Sequence, residues 1–358
     1  MTVERPNSIA DDLLARVPGS PDVYPQKIDL VREAILLVLL DAHTYRAASF
    51  LDDRILGPNT KGAWLTAARL SEVAYKCRNG QPVHFIFHTG HVGSTLLSRL
   101  FDETGEVLSL REPLPLRTLA EAQDLLHRSD SLLSEGQFDR TLYMFMQLWG
   151  RGYPESRMTI VKATSSAGRL AAPILQRHAG ARAIYLNLRA EPYLATLLAG
   201  QNSPADLRGH GPERMRRLQS RLALPLTPLH EMSIGELAAL GWLAESSSQH
   251  DATQAFPDRV LALDFEQFLS NIVGTLGSVL SHFGLPVNAR YLSLVERSAV
   301  LTRYSKAPEH AYTPRDRTEI LADSRQHNSA EIRKGMSWLE RLAKTEAAVA
   351  AVMNSVGV

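Results

Sequence analysis

The chain has 358 residues, with 39 Lys+Arg against 38 Asp+Glu, 44% hydrophobic residues and one cysteine. At roughly 100 to 200 residues per domain, that length holds one large domain with additions or two domains. A formal net charge of +1 argues against wholesale coating of nucleic acid, which needs a strong excess of cations facing the phosphates, so any anion site must be local.

Cys77 alone can form neither an intramolecular disulfide nor a thiolate cluster for zinc, which points to a reducing, cytoplasmic setting. Residues 1–20 carry acidic side chains and no apolar core of the kind a signal peptide needs. The strongest apolar run, residues 34–40, is far shorter than the roughly 20 residues that cross a bilayer and reads as a buried helix. Ile28, Leu30, Val31, Ile35, Leu36, Leu39 and Leu40 recur at helical spacing, as do Leu65, Leu70, Val73 and Ala74. Residues 1–80 are therefore expected to form a helical module, with an α/β domain over residues 81–358.

The pattern changes at Pro82. Val83-His84-Phe85-Ile86-Phe87 is β-rich, His88-Thr89-Gly90-His91-Val92-Gly93-Ser94-Thr95 contains two glycines, and a helical stretch begins at Leu96. Strand, glycine-containing loop and helix is the order of a phosphate-binding βα unit. Further strands are expected at 107–110, 158–161, 183–188 and 260–263. A helix over 272–283 should end at Gly284 and Pro286. Strands alternating with helices imply a parallel sheet covered on both faces, with ligands outside the carboxyl ends of the strands. Residues 202–250 read as a helical insertion or lid, and residues 304–328, polar and proline-bearing, as a long loop.

Gly90 and Gly93 let the backbone approach a ligand. The helix beginning near Gly93 presents free N–H groups and a positive dipole end, and Ser94 and Thr95 add hydroxyl donors. The same residues also serve an ordinary βα turn. A nucleoside triphosphatase loop would carry a lysine directly after its last glycine to hold the β and γ phosphates. Here Ser94 comes directly after Gly93.

The segment 85–100 resembles the 5′-phosphosulfate loop of the sulfotransferase superfamily, with Gly93, Ser94 and Thr95 matching its Gly-Thr-Thr core and His91 standing where the family has lysine or arginine. Other blocks resemble the same family in the same order. Arg189, near the end of Ala183-Ile184-Tyr185-Leu186-Asn187-Leu188-Arg189, matches the arginine of its Arg-x-Pro strand end, and Thr196 lies near the place of its following serine. Residues 259–269 with Phe283-Gly284-Leu285-Pro286 look like its Val-Leu-x-Val-x-Tyr-Glu-Asp-Leu block and helix end. Arg333-Lys334-Gly335 resembles its Arg-Lys-Gly element.

The resemblance spans roughly residues 83–340. It implies a three-layer α/β/α P-loop-type fold with a central parallel sheet, binding 3′-phosphoadenosine 5′-phosphosulfate (PAPS) and transferring its sulfuryl group to a hydroxyl or amine. It further implies that Gly90, Gly93, Ser94, Thr95 and His91 hold the 5′-phosphosulfate. Arg189, Thr196, Arg333, Lys334 and Gly335 would surround the 3′-phosphate. Lys162, ending the third strand, would supply the cation missing from the loop. Glu112 stands 21 residues after His91, where the protein-tyrosine branch has its general base; the alternative is a surface acid pairing with Arg111 or Arg117.

No metal is implied, and the twelve histidines show no ligand spacing. The expected partner is a small-molecule or peptide acceptor, with no nucleic acid and no membrane span. Two other readings stay open: an ATP-dependent phosphotransferase on a degenerate P-loop, with Asp264 as a magnesium-binding acid, and a non-catalytic nucleotide-binding protein, for which His91 in place of lysine is the best support.

Overall fold

The computed structural model describes residues 8–77, 80–223 and 225–356. Its strands are β1 (Val23–Asp29), β2 (Ala34–Leu39), β3 (Gly62–Thr66), β4 (Val83–His88), β5 (Val107–Arg111), β6 (Met158–Lys162), β7 (Ala183–Asn187), β8 (Val260–Asp264), β9 (Arg303–Tyr304) and β10 (Ala307–Ala311). The fold is α/β. A five-stranded sheet of order β5-β6-β4-β7-β8 is flanked by helices, and the pairings β4·β6, β5·β6 and β7·β8 are parallel.

All residues of β4, β5, β6 and β7 are buried. Apolar residues therefore occupy both faces of these strands instead of alternating strictly, although buried His84, Ser109 and Thr159 interrupt the runs. The chain leaves β4 towards β6 and β5, then returns to β7 on the other flank of β4. The carboxyl end of β4 is therefore the topological switch point, where open α/β sheets place ligands.

Two compact units partition the chain, residues 1–86 with 95–182, and residues 87–94 with 183–358, so β4 contributes residues to both. In the first, residues 8–77 correct the expected helical module. β1, β2 and β3 form an antiparallel sheet, with Val23 opposite Leu39 and Ile35 opposite Leu65. Residues 1–7 and 78–79 of that expectation lie outside the described residues.

The run 34–40 has a turn on its amino side, which decides for strand. There the Asp29 carboxylate accepts the N–H groups of Val31 (3.0 Å) and Arg32 (2.9 Å), and Glu33 takes φ 49°. Helix is confined to three short pieces, Ile9–Arg16, Ala42–Ala47 and Ala67–Ala74, with single 3₁₀ turns at Asp53–Ile55 and Tyr75–Cys77. This amino-terminal segment is also tied into the rest of its unit by two buried arginines. Arg151 donates to the carbonyls of Val17, Ser20 and Val23 at 2.7–2.9 Å, and Arg111 donates to those of Tyr45 and Ala48 at 2.9 Å.

In the second unit the helix Ile234–Ala255 is core, which corrects the lid expectation. Ser233 and Glu236 close its capping box. Trp242 Nε1 donates to the Leu188 carbonyl (2.8 Å), and the fully buried Glu245 accepts from Arg217 (3.1 Å). The helix Ile272–Phe283 ends at Gly284 with φ 76°, as its glycine predicts.

The expected loop 304–328 is instead the β9–β10 hairpin followed by the helix Pro314–His327. Thr313 accepts from the Asp316 N–H, the Asp316 carboxylate accepts from the Thr313 N–H (2.7 Å), and Pro314 opens the helix. Ser324 Oγ donates to the Ala195 carbonyl (2.7 Å) and Arg325 forks onto Glu191 (2.8 Å twice). Both fasten this helix along the helix Ala190–Leu198.

Candidate functional site

The sequence of the loop after β4 forces an unusual backbone. Gly90, His91 and Gly93 have φ values of 104°, 55° and 69°. The Thr89 N–H donates to the Leu186 carbonyl (3.0 Å), and the Gly90 N–H to His88 Nδ1 (3.1 Å), which fixes that nitrogen as an acceptor. Glycine is required at 93 for two independent reasons. A Cβ would enter the left-handed region and would overlap the ring of Phe265, the first residue of the helix Phe265–Ser270. His91 has no such exemption, and a non-glycine residue held there costs about 1–3 kcal/mol, typical of ligand-binding turns.

The helix Ser94–Asp102 begins at once, with no acidic residue in its first turn. Its leading N–H groups lack partners within the helix and carry the positive dipole end. Ser94 and Thr95 are buried, and Thr95 Oγ1 is enclosed without a hydrogen-bond partner. Such an orphaned hydroxyl costs about 1–3 kcal/mol. Together these features suit an anion that brings its own acceptor oxygens.

Within the first unit, Glu112 and Lys162 meet. Glu112 comes after β5 with φ 53°, its N–H donates to the Lys162 carbonyl (2.6 Å), and its carboxylate pairs with Lys162 Nζ. The lysine side chain is 1% exposed and that of Glu112 15%. The ammonium lies 5.7 Å from the Phe50 ring, whose face also carries the Arg54 guanidinium at 3.7 Å. Arg54 in turn forks onto Asp52 at 2.8 and 3.0 Å. Asp52, and more weakly Glu112, hold that guanidinium above its ordinary pKa. Sequence reasoning missed Phe50 and Arg54, because they lie in the segment expected to be helical. Where the surface-acid alternative expected Arg111, Glu112 instead pairs with Lys162, and Arg111 pairs with Asp102.

Within the second unit, Arg189 stands at the N-cap position of the helix Ala190–Leu198, just after β7, and lies 3.5 Å from Glu266 Oε2. Arg317, in the first turn of the 314–327 helix, reaches Glu266 Oε1, also at 3.5 Å, and lies 5.2 Å over the Phe265 ring. A cleft of about 470 Å³ opens beside Arg189, Glu266, Gln267 and Ser270, within the size range of small-ligand sites. The signal for Arg317 was present as the capping pattern Thr313-Pro314-Arg315-Asp316.

Four expected nucleotide ligands are placed otherwise. Arg333, Lys334 and Gly335 lie mid-helix in Ser329–Thr345, where backbone N–H groups are consumed by helical bonds and cannot wrap a dianion. A Cβ on Gly335 would lie 2.5 Å from the Gly235 carbonyl, so its glycine serves helix packing. Lys334 pairs with Glu331 (2.7 Å), and Arg333 is exposed. Thr196 gives its single hydroxyl proton to the Pro192 carbonyl (2.7 Å), leaving none for a phosphate. Asp264 caps the 265–270 helix through the Gln267 N–H (2.9 Å). Among the described residues no group of three or more His, Cys, Asp or Glu is placed to hold a metal ion, and no helix is long and apolar enough to cross a membrane.

No family model and no curated protein matches the chain. Solved structures do. The sulfotransferase domain from the curacin biosynthetic pathway is 16% identical, covers 77% of this chain and 97% of its own, and superposes with a TM-score of 0.43. Mouse sulfotransferase SULT7A1 complexed with PAP is 11% identical over 82% and 97% of the two chains, with a TM-score of 0.40. Sulfotransferase STF9 from Mycobacterium avium is 13% identical over 90% and 98%, with a TM-score of 0.39.

Proposed function

We propose that this chain is a sulfotransferase that takes PAPS as donor and a hydroxyl or amine as acceptor. The observation that carries the reading is the loop 88–95 at the switch point. It offers backbone N–H groups, a glycine pressed against Phe265 and a buried unpartnered Thr95 hydroxyl, but no lysine for a triphosphate. Arg189 stands ready for a separate phosphate at the end of the neighbouring strand β7.

When bound, the donor supplies an activated sulfuryl group on a good leaving phosphate. The loop N–H groups, Gly90, Gly93, Ser94 and Thr95 would hold its 5′ end, with His91 presenting a positive charge there when protonated. Arg189 would take the 3′-phosphate. Glu112 accepts the proton from the acceptor hydroxyl and becomes the neutral acid. Lys162 holds that carboxylate in one position beforehand, so the residues work by orientation and charge placement.

Against the phosphotransferase reading stands the loop itself, in which Ser94 follows Gly93 directly where a triphosphate loop carries lysine. Release of 3′,5′-adenosine bisphosphate from PAPS in the presence of phenolic and alcohol acceptors tests the proposal. Glu112→Gln should lower acceptor-dependent release by about 10²–10⁴-fold while bisphosphate affinity stays near that of the wild type. Unchanged release would refute the base, and no release from the wild type with any acceptor would favour the non-catalytic reading.

A further inference from the structure

The Glu266 carboxylate holds two arginines from different elements at once, one oxygen to each, and holds both weakly. Its oxygens lie 3.5 Å from Arg189 and 3.5 Å from Arg317. The contrast is close by: Arg325, two turns further along the helix of Arg317, forks onto Glu191 with two bonds of 2.8 Å. Arg325 is committed to structure, whereas Arg189 and Arg317 each spend one long contact and keep most of their donors for something else.

The surroundings specify what that would be. Arg317 lies over the face of Phe265, the ring that packs against Gly93 of the phosphate loop. The cleft beside Arg189 and Glu266 is open to solvent on the same side chains. The 333–335 segment, expected to supply cations there, is locked in a helix.

We propose that Glu266 is an exchangeable counter-ion in a two-arginine clamp, and that a phosphate monoester dianion displaces its carboxylate from between Arg189 and Arg317. This deepens the sulfotransferase reading, on which it rests for the identity of the nucleotide. A phosphate has three terminal oxygens to offer two guanidinium forks, where the carboxylate has two and reaches each fork with one. Arg317 thereby takes the place left by Arg333 and Lys334, and Glu266 keeps the two cations from an unpaired state when no nucleotide is bound.

Calorimetric titration of the wild type, Arg317→Ala and Glu266→Gln with 3′,5′-adenosine bisphosphate, 5′-AMP and inorganic phosphate decides the matter, with circular dichroism confirming that each variant is folded. Loss of one charge-assisted contact should weaken the bisphosphate by about tenfold in Arg317→Ala. Glu266→Gln, which removes the competitor, should bind it more tightly than the wild type, and both variants should bind 5′-AMP as the wild type does. Arg317→Lys, retaining charge without the fork, should fall between.

Unchanged bisphosphate affinity in Arg317→Ala overturns the clamp and leaves the donor reading standing. Unchanged or weaker affinity in Glu266→Gln overturns the exchange. If the wild type ignores the bisphosphate but binds inorganic phosphate in a manner that Arg317→Ala abolishes, the clamp stands and the donor reading falls. Binding of neither overturns both.

Discussion

Removing the ammonium of Lys162 would leave the Glu112 carboxylate largely buried without its ion partner. Breaking such a pair from one side costs about 3–5 kcal/mol, whereas removing both charges together costs much less. Lys162→Ala should therefore destabilise the protein by about 3 kcal/mol in urea denaturation, and Lys162→Met with Glu112→Gln by clearly less. Equal losses would mean that the ammonium contributes packing alone. Gly93→Ala acts at the same scale but on the loop. Its methyl would meet the Phe265 ring while φ is 69°, and a left-handed non-glycine residue adds roughly 1–2 kcal/mol of strain. Bisphosphate binding should be lost in Gly93→Ala and partly restored by adding Phe265→Ala. Restoration to the full wild-type affinity would show that the left-handed backbone at 93 carries no penalty.

Among the elements, the five strands of the parallel sheet are legible in the sequence because each is a short, largely apolar run bounded by turns, as burial of β4, β6 and β7 on both faces requires. The run 34–40 misleads because a short apolar run fits helix and strand equally until its flanks are weighed. There the Asp29 turn is the deciding flank. Arg333-Lys334-Gly335 misleads for a different reason: a tripeptide carries no backbone geometry, and here glycine answers a helix crossing at Gly235. Arg333→Ala with Lys334→Ala should accordingly leave bisphosphate affinity unchanged, and a loss of about tenfold would return those residues to the site.

The 314–327 helix carries its own pH dependence. Bonds from the Thr313 hydroxyl, then from its N–H, hold the Asp316 carboxyl below the ordinary 3.8. A depressed folded-state value means the cap stabilises above pH 3.8 and loses that contribution as pH falls through the lower folded value. Hydrogen exchange of this helix should quicken across that acid window in the wild type, beyond the intrinsic pH trend, and show no such step in Asp316→Asn. The same step in both would rule out the cap as its origin.

At the scale of the whole chain, a net charge of +1 required any anion site to be local, and within each unit the candidate cations are balanced by carboxylates. Lys162 is neutralised by Glu112, while Arg189 and Arg317 share Glu266. The cations are present, each held by a carboxylate, so the total charge reveals nothing of them. Composition alone could bound a candidate site but not point to it; the order of strands around β4 points to the carboxyl end of that strand. The central claim, a donor with two separate phosphate groups rather than a metal-bound triphosphate, is met most directly by titrating the wild-type protein with 3′,5′-adenosine bisphosphate and with ATP–magnesium in the calorimeter. Saturable binding of the bisphosphate and none of ATP–magnesium is the predicted result. Tight binding of ATP–magnesium with none of the bisphosphate would contradict it.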